Sequence, residues 1–372
     1  MLFKANFDFE SRITPTANGR GVLLPQAVRD RMSPLAGLFS LLADECDLIG
    51  IDGYRPPTVE IIDHADPGDP ADDLPSQPPG RIVEWTFEDA LPELTADLVE
   101  GVTWWGQVPD GPTHRRPRHL IQTLTDRTAW AERLPRLGFD DWCGTPTLAC
   151  RHRSDIRDAL SSDEPVMLKA AFSAFGRGCR PSNENPATLD AWIDRCLKHG
   201  GLTVEPLYEV IEEKASHFVI SDQAVEWLGS SRLHVDGTGR TIAVEPHRLI
   251  DRRHDLSLSA AVRTVVEHVR SIGYVGPFSI DHARACYREL DRWRLFQDIN
   301  PRLTLGSLAL RGARRFGRHV AIALVEDWSP AWPVVREWRF RGTATKASRE
   351  SVARVLFGPR DDFGRALDPT SS

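Results

Sequence analysis

Ser279-Ile280-Asp281 and Gln297-Asp298-Ile299-Asn300-Pro301-Arg302 are the two stretches on which the reading of this chain turns. Phe278–Ala285 and Arg294–Ile299 both read as strands, set around a polar turn at Arg288–Arg292. Side chains alternate along a strand, so Phe296, Asp298 and Asn300 share one face while Leu295, Gln297 and Ile299 share the other. If the two strands pair, Asp281 sits beside Asp298 and Asn300. Two carboxylates and an amide oxygen on a sheet surface are hard oxygen donors with positions left for water and phosphate. The plainer alternative is three solvated polar residues. The apolar neighbours on both strands argue against it, because a buried carboxylate needs a partner.

Working outward, the second signal is Lys169. It stands in Val166-Met167-Leu168-Lys169-Ala170-Ala171-Phe172, an apolar strand followed by Ser173-Ala174-Phe175-Gly176-Arg177-Gly178. A lysine there needs an anion. It has no obvious partner nearby in sequence, and a loop with two glycines lets backbone N–H groups approach phosphate oxygens. The third signal is Thr203-Val204-Glu205-Pro206-Leu207, with Glu209, Glu212 and Glu213 beyond it. Such a strand offers backbone groups to a planar base, and a later glutamate offers a carboxylate to ribose hydroxyls. On local grounds, the acidic run reads better as a solvated turn.

The surroundings give an α/β organisation. Strands are expected at Leu2–Phe9, Leu48–Ile51, Thr58–Asp63 and Arg81–Glu84, with helical periodicity over Ser33–Asp44. Asp66–Gly80 reads as an exposed Pro/Gly/Asp loop, and Trp104-Trp105-Gly106 as packing at the end of this first segment. Thr125 or Asp126 caps a helix carrying Trp130, Leu134 and Leu137; Val166–Leu207 is a strand, loop, helix, strand unit. Next come antiparallel strands at His217–Ile220, Gln223–Leu228 and Thr241–Glu245. A helix over Ser257–Ile272 carries Ala261, Val262, Val265, Val266 and Val269 on one stripe. A long helix is expected over Leu305–Glu326, then a strand at Val334–Phe340 in a tail with a polar end.

Composition narrows the class. The chain has 372 residues, enough for two or three packed subdomains, and a net charge of -7 with acids and bases interspersed. Neither a nucleic-acid partner nor a membrane is expected. The N-terminus lacks the cationic start and apolar core of a signal peptide, and six cysteines without paired spacing point to a reducing cytoplasm. Of 46 basic residues only five are lysines, which makes Lys169 in an apolar strand more noticeable. His114, His119, Cys143, Cys150 and His152 fit no zinc template.

The order of these pieces resembles the ATP-grasp superfamily. The resemblance runs from about Thr125 to Ala323 and rests on LKAAFSAFGRG, VEPL, GPFSID and, most specifically, DINPRLTLG. It implies an ATP-grasp fold of mixed α/β and α+β class. Residues 1–117 would be an N-terminal α/β (pre-ATP-grasp) domain, 118–208 a small lid subdomain, 209–330 a large catalytic subdomain with an antiparallel sheet, and 331–372 a C-terminal tail. It implies a carboxylate–amine ligase that uses ATP and Mg2+ and forms an acyl phosphate. Lys169 would contact the nucleotide phosphates, with Ser173, Gly176 and Gly178 in the loop; Glu205 and Leu207 would meet the adenine and Glu212 the ribose. Asp281, Asp298 and Asn300 would hold magnesium, and Arg302 would steady the transferred phosphate. Two positions depart from the pattern: Arg127 stands where a lysine is usual, and Asp298 where glutamate is commoner. The implied partners are a small-molecule carboxylate, an amine, and a second copy of the chain in a homodimer.

Overall fold

The computed structural model describes residues 2–4, 7, 11, 13–15, 24, 26–51, 56–64, 71–84, 102–105, 118–139, 147–160, 164–173, 178–237, 239–247, 252–342 and 351–360. Strands β1 (Leu2–Lys4), β2 (Leu48–Ile51), β4 (Arg81–Glu84) and β5 (Val102–Trp104) form a parallel sheet in the order β4-β2-β1-β5. β3 (Thr58–Asp63) leaves it. It pairs instead with β16 (Arg336–Arg341) at the far edge of a nine-stranded sheet. Its two acids find basic partners there: Asp63 meets Arg336 at 2.5 Å, and Glu60 lies 3.6 Å from both Arg339 and Arg341. The helical periodicity at Ser33–Asp44 resolves into a short α-helix at Ser33–Ala36 and a tighter 3-10 turn at Gly37–Leu41.

Helix α1 (Arg118–Thr125) leads into α2 (Arg127–Arg136), which Asp126 caps by accepting from the Thr128 N–H. A small antiparallel sheet follows in the order β6-β9-β7-β8, from β6 (Leu148–Cys150), β7 (Val166–Ala170), β8 (Cys179–Pro181) and β9 (Leu202–Pro206). Helix α3 (Pro186–Lys198) packs its Leu189, Trp192, Ile193 and Cys196 onto that sheet. Strand β8 is an addition to the expected strand, loop, helix, strand unit.

The large sheet runs β14-β13-β10-β11-β12-β15-β17-β16-β3, antiparallel throughout. Strand β10 (Glu209–Ile220) absorbs the acidic run that read as a turn; β11 (Val225–Val235) and β12 (Thr241–His247) follow. Helix α4 (Arg252–Ser271) buries Ala261, Val262, Val265, Val266 and Val269, the expected stripe. β13 (Gly276–Tyr287) and β14 (Leu290–Asn300) are joined by Arg288 and Glu289, both at positive φ (48° and 66°), the two-residue hairpin whose twist suits its strands.

The long helix expected from Leu305 to Glu326 is shorter. Helix α5 spans Leu305–Phe316 and stops at Gly317, which takes the left-handed conformation (φ 59°). The chain then turns into β15 (Arg318–Ala323). The expected tail from residue 331 supplies β16 and β17 (Val352–Arg360) to the large sheet. Trp338 and Phe357 pack edge-on at 4.5 Å there, and both are fully buried. The expected Asp66–Gly80 loop is described only from Ala71, and Asp73 is no solvated acid: it pairs with the fully buried Arg318. No helix among the described residues is long and apolar enough to cross a membrane.

Candidate functional site: a charged cleft between two sheets

The β13–β14 register places Asp281 directly opposite Asp298, and Ser279 opposite Asn300. The three oxygen-bearing residues therefore share one face, as the alternation predicts. β10 runs alongside β13 with Ala215 opposite Asp281, which brings Glu213 onto the same face. One cleft is lined by Arg127, Lys169, Glu213, Asp281, Asp298, Asn300 and Arg302. Its far wall is formed by Trp105, His217, Ser231, Thr304 and Gly306 at the start of α5.

Electrostatics follow from that crowding. Burial, then the charges of Asp298 and Glu213, push the Asp281 carboxyl up to about 8. Glu213 is pushed up as well, chiefly by burial. Carboxylates raised by burial and by one another are what a cation relieves, so the donor set fits a divalent ion at Asp281. Asn300 spends its NH2 on Asp281 Oδ2 at 3.1 Å. Among the described residues, no three His, Cys, Asp or Glu side chains are grouped to enclose a metal by themselves. A bound ion would therefore complete its shell with the Asn300 oxygen, water or phosphate.

Lys169 has a partner that the sequence did not reveal. Its Nζ lies 2.6 Å from Glu205 Oε1, and Arg294 reaches the other Glu205 oxygen at 2.6 Å. Register explains the first contact: Met167 faces Glu205 and Lys169 faces Thr203, so Lys169 and Glu205 are diagonal neighbours on one face. Burial opposes every charge in this cluster, but the mutual attraction wins. Lys169 is raised, Glu205 lowered and Arg294 raised, so all three stay charged. The Tyr208 hydroxyl accepts from Arg294 Nη1 at 2.8 Å and lies between Glu205 (3.1 Å) and Gln297.

The other expected positions divide. Ser173 Oγ accepts from Arg127 at 2.6 Å. Gly178 packs where a Cβ would come within 2.2 Å of that same Oγ, so only glycine fits. Gly176 lies outside the described residues. Leu207 spends its N–H on Pro165 O at 3.1 Å, and Glu205 lines a smaller adjoining cavity rather than the main cleft. Glu212 pairs with Lys214 at 3.4 Å, and its neighbour Glu213 lines the cleft. The register shift between Val210 and Glu212 sets which glutamate faces inward, and no local pattern announces it.

Arg302 lies 5.6 Å over the Trp105 ring and donates to Leu303 O at 3.1 Å. Trp105, 1% exposed, also packs against Phe7 at 4.7 Å, so the packing read from Trp104-Trp105-Gly106 also forms a wall of the cleft. His217 bonds Ser231 Oγ at 2.8 Å and Thr304 Oγ1 at 3.2 Å; burial, with His282, holds it down to about 3 and hence neutral.

The sequence matches no protein-family model and no curated protein. Solved structures do match in fold. The N5-carboxyaminoimidazole synthetase of Staphylococcus aureus, complexed with ADP, superposes with a TM-score of 0.51 at 12% identity, over 96% of this chain and 92% of that one. The biotin carboxylase domain of the Hydrogenobacter thermophilus 2-oxoglutarate carboxylase, a dimer with MgADP and bicarbonate, gives 0.52 at 13%, over 98% and 88%. The N5-carboxyaminoimidazole ribonucleotide synthetase of Thermus thermophilus gives 0.50 at 16%, over 99% and 95%. This chain has the ATP-grasp fold. The charged cleft is lined from both the β6-β9-β7-β8 sheet and the nine-stranded sheet.

Proposed function

We propose that the chain is an ATP-dependent ligase that activates a carboxylate as an acyl phosphate and couples it to an amine. The observation that carries this is one cleft that gathers Arg127, Lys169, Asp281, Asp298, Asn300 and Arg302 from separate segments of the chain. Lys169 and Arg302, which would hold phosphates, stand beside Asp281 and Asn300, which would hold a metal. In this reading a carboxylate oxygen attacks the γ-phosphorus and ADP leaves. The amine then attacks the acyl carbon, phosphate leaves and the amine gives up a proton. Magnesium, bound through Asp281, would neutralise phosphate charge. Lys169, fixed by Glu205, holds a phosphate oxygen, and Arg302 holds the phosphoryl group on the acyl side. Ser173, Gly176 and Gly178 would bring backbone donors to the phosphates, and the strand end at Glu205–Leu207 would border the base. A homodimer belongs to this reading.

A second reading has an observation of its own. Arg127 and Lys169, two of the cations lining the cleft, are already paired with Asp298 and Glu205. A nucleotide-binding module with weak or no turnover fits that pairing. Product analysis separates the readings. With ATP, magnesium and a panel of carboxylic acids, the ligase should release ADP and phosphate, and hydroxylamine should trap a hydroxamate that a true amine partner suppresses. Bicarbonate belongs on the panel, because the neighbours include a biotin carboxylase domain. AMP and pyrophosphate as main products would overturn the mechanism. ADP with a stable phosphorylated product, unaffected by amines, would make the chain a phosphotransferase.

A further inference from the structure

Arg127 is bound more completely than a phosphate ligand in waiting. Its Nε donates to Asp298 Oδ1 at 3.1 Å and its Nη2 to Asp298 Oδ2 at 2.5 Å. Nη2 also donates to Ser173 O at 3.1 Å, and Nη1 donates to Ser173 Oγ at 2.6 Å and Ala170 O at 2.9 Å. A guanidinium has five N–H groups, and these contacts use all five. The backbone is fixed as well, since the Arg127 N–H donates to Ala171 O at 3.1 Å. Both Asp298 oxygens are covered by a planar fork whose shape matches a carboxylate. Oδ1 accepts a further bond from the Ile299 N–H at 3.1 Å. The clamp joins the end of β7 in the β6-β9-β7-β8 sheet to β14 in the nine-stranded sheet.

The second carboxylate of the pair is placed differently. Asp281 takes the Asn300 amide as its donor and lines the cleft with Glu213. The two aspartates, opposite one another in the register, thus have different partners, a guanidinium for Asp298 and a neutral amide for Asp281.

We infer that Arg127 is the resident cation of Asp298, so that the cleft loads a single divalent ion, on Asp281 with Asn300, beside the nucleotide. The inference rests on the nucleotide reading proposed above. It assigns Asp298 to holding the β6-β9-β7-β8 sheet rather than to the metal. It also accounts for the arginine at position 127, because a lysine has no planar fork and only three N–H donors, too few for the five contacts made here.

Counting manganese tests it. Mn2+ is titrated into the full chain with a saturating non-hydrolysable ATP analogue, and protein-bound ions are read by electron paramagnetic resonance, with melting curves for every variant. The wild type should hold one Mn2+ per chain, and Arg127→Met should hold a second, seen as spin–spin coupling. Asp298→Asn should keep the first ion, while Asp281→Asn should weaken it at least about tenfold; these two variants serve if Arg127→Met does not fold. Two coupled ions in the wild type would overturn the inference and leave the nucleotide reading standing. So would loss of the ion in Asp298→Asn with retention in Asp281→Asn. Failure of the wild type to bind the analogue would overturn the nucleotide reading, and the inference with it.

Discussion

Replacing Glu205 by alanine is expected to lower the free energy of unfolding by about 3–5 kcal/mol, the range for removing one partner of a buried ion pair. Glu205 is 2% exposed, and the two cations it neutralises, Lys169 and Arg294, are 6% and 8% exposed. Without the carboxylate both would stay charged in a dry site, or give up their protons at a cost. Urea unfolding followed by tryptophan fluorescence reads the effect. A loss below about 1 kcal/mol, the scale of a surface pair, would contradict this account of the cluster. The sign of the pH dependence follows from the same geometry. Glu205 has its pKa lowered from the ordinary 4.5, because Arg294 and Lys169 outweigh burial. Its contribution is therefore present above pH 4.5 and is lost as pH falls below that value through the folded-state pKa. Glu205→Ala should lack this share of the acid sensitivity of the wild type.

Arg302→Ala is expected to lower kcat of the proposed ligase by about 10²–10³-fold, the cost of one preorganised donor to transition-state charge. The side chain lines the cleft near Asp281 and rests on the buried Trp105 ring. Nucleotide affinity should change much less, because in the proposed reading Lys169 holds the nucleotide phosphate. Steady-state kinetics with the coupling pair found by hydroxamate trapping, together with nucleotide titrations, separates the two effects. A kcat within about tenfold of the wild type would remove Arg302 from the chemistry.

Much of this cleft was legible in the sequence, for reasons of periodicity. A strand's alternation placed Asp298 and Asn300 on one face, and pairing with β13 added Asp281. The apolar strand around Lys169 announced a charge that needed an anion. The identity of that anion was harder to read. Glu205 stands 36 residues later, across a loop and a helix, and only the β7–β9 register makes the two neighbours. Two lone opposite charges on two apolar strands of one unit were the available signal. Arg294 gave less, since it read as the polar start of a strand and its burial depends on Thr147 and Tyr208 closing around it. Glu212 and Glu213 could not be told apart because a bulge sets their phase. β3 was misplaced for a related reason. An edge pairing between residues about 275 apart leaves no local pattern, and its arginine–acid contacts appear only after folding.

In the proposed reading, the cleft between the β6-β9-β7-β8 sheet and the nine-stranded sheet is a nucleotide–metal site. Calorimetric titration of the chain with a non-hydrolysable ATP analogue, with and without magnesium, tests it most directly. The account predicts one analogue bound per chain, an affinity that rises with magnesium, and loss of that magnesium dependence in Asp281→Asn. Binding that is indifferent to magnesium, or unchanged in both Lys169→Ala and Asp281→Asn, would contradict it.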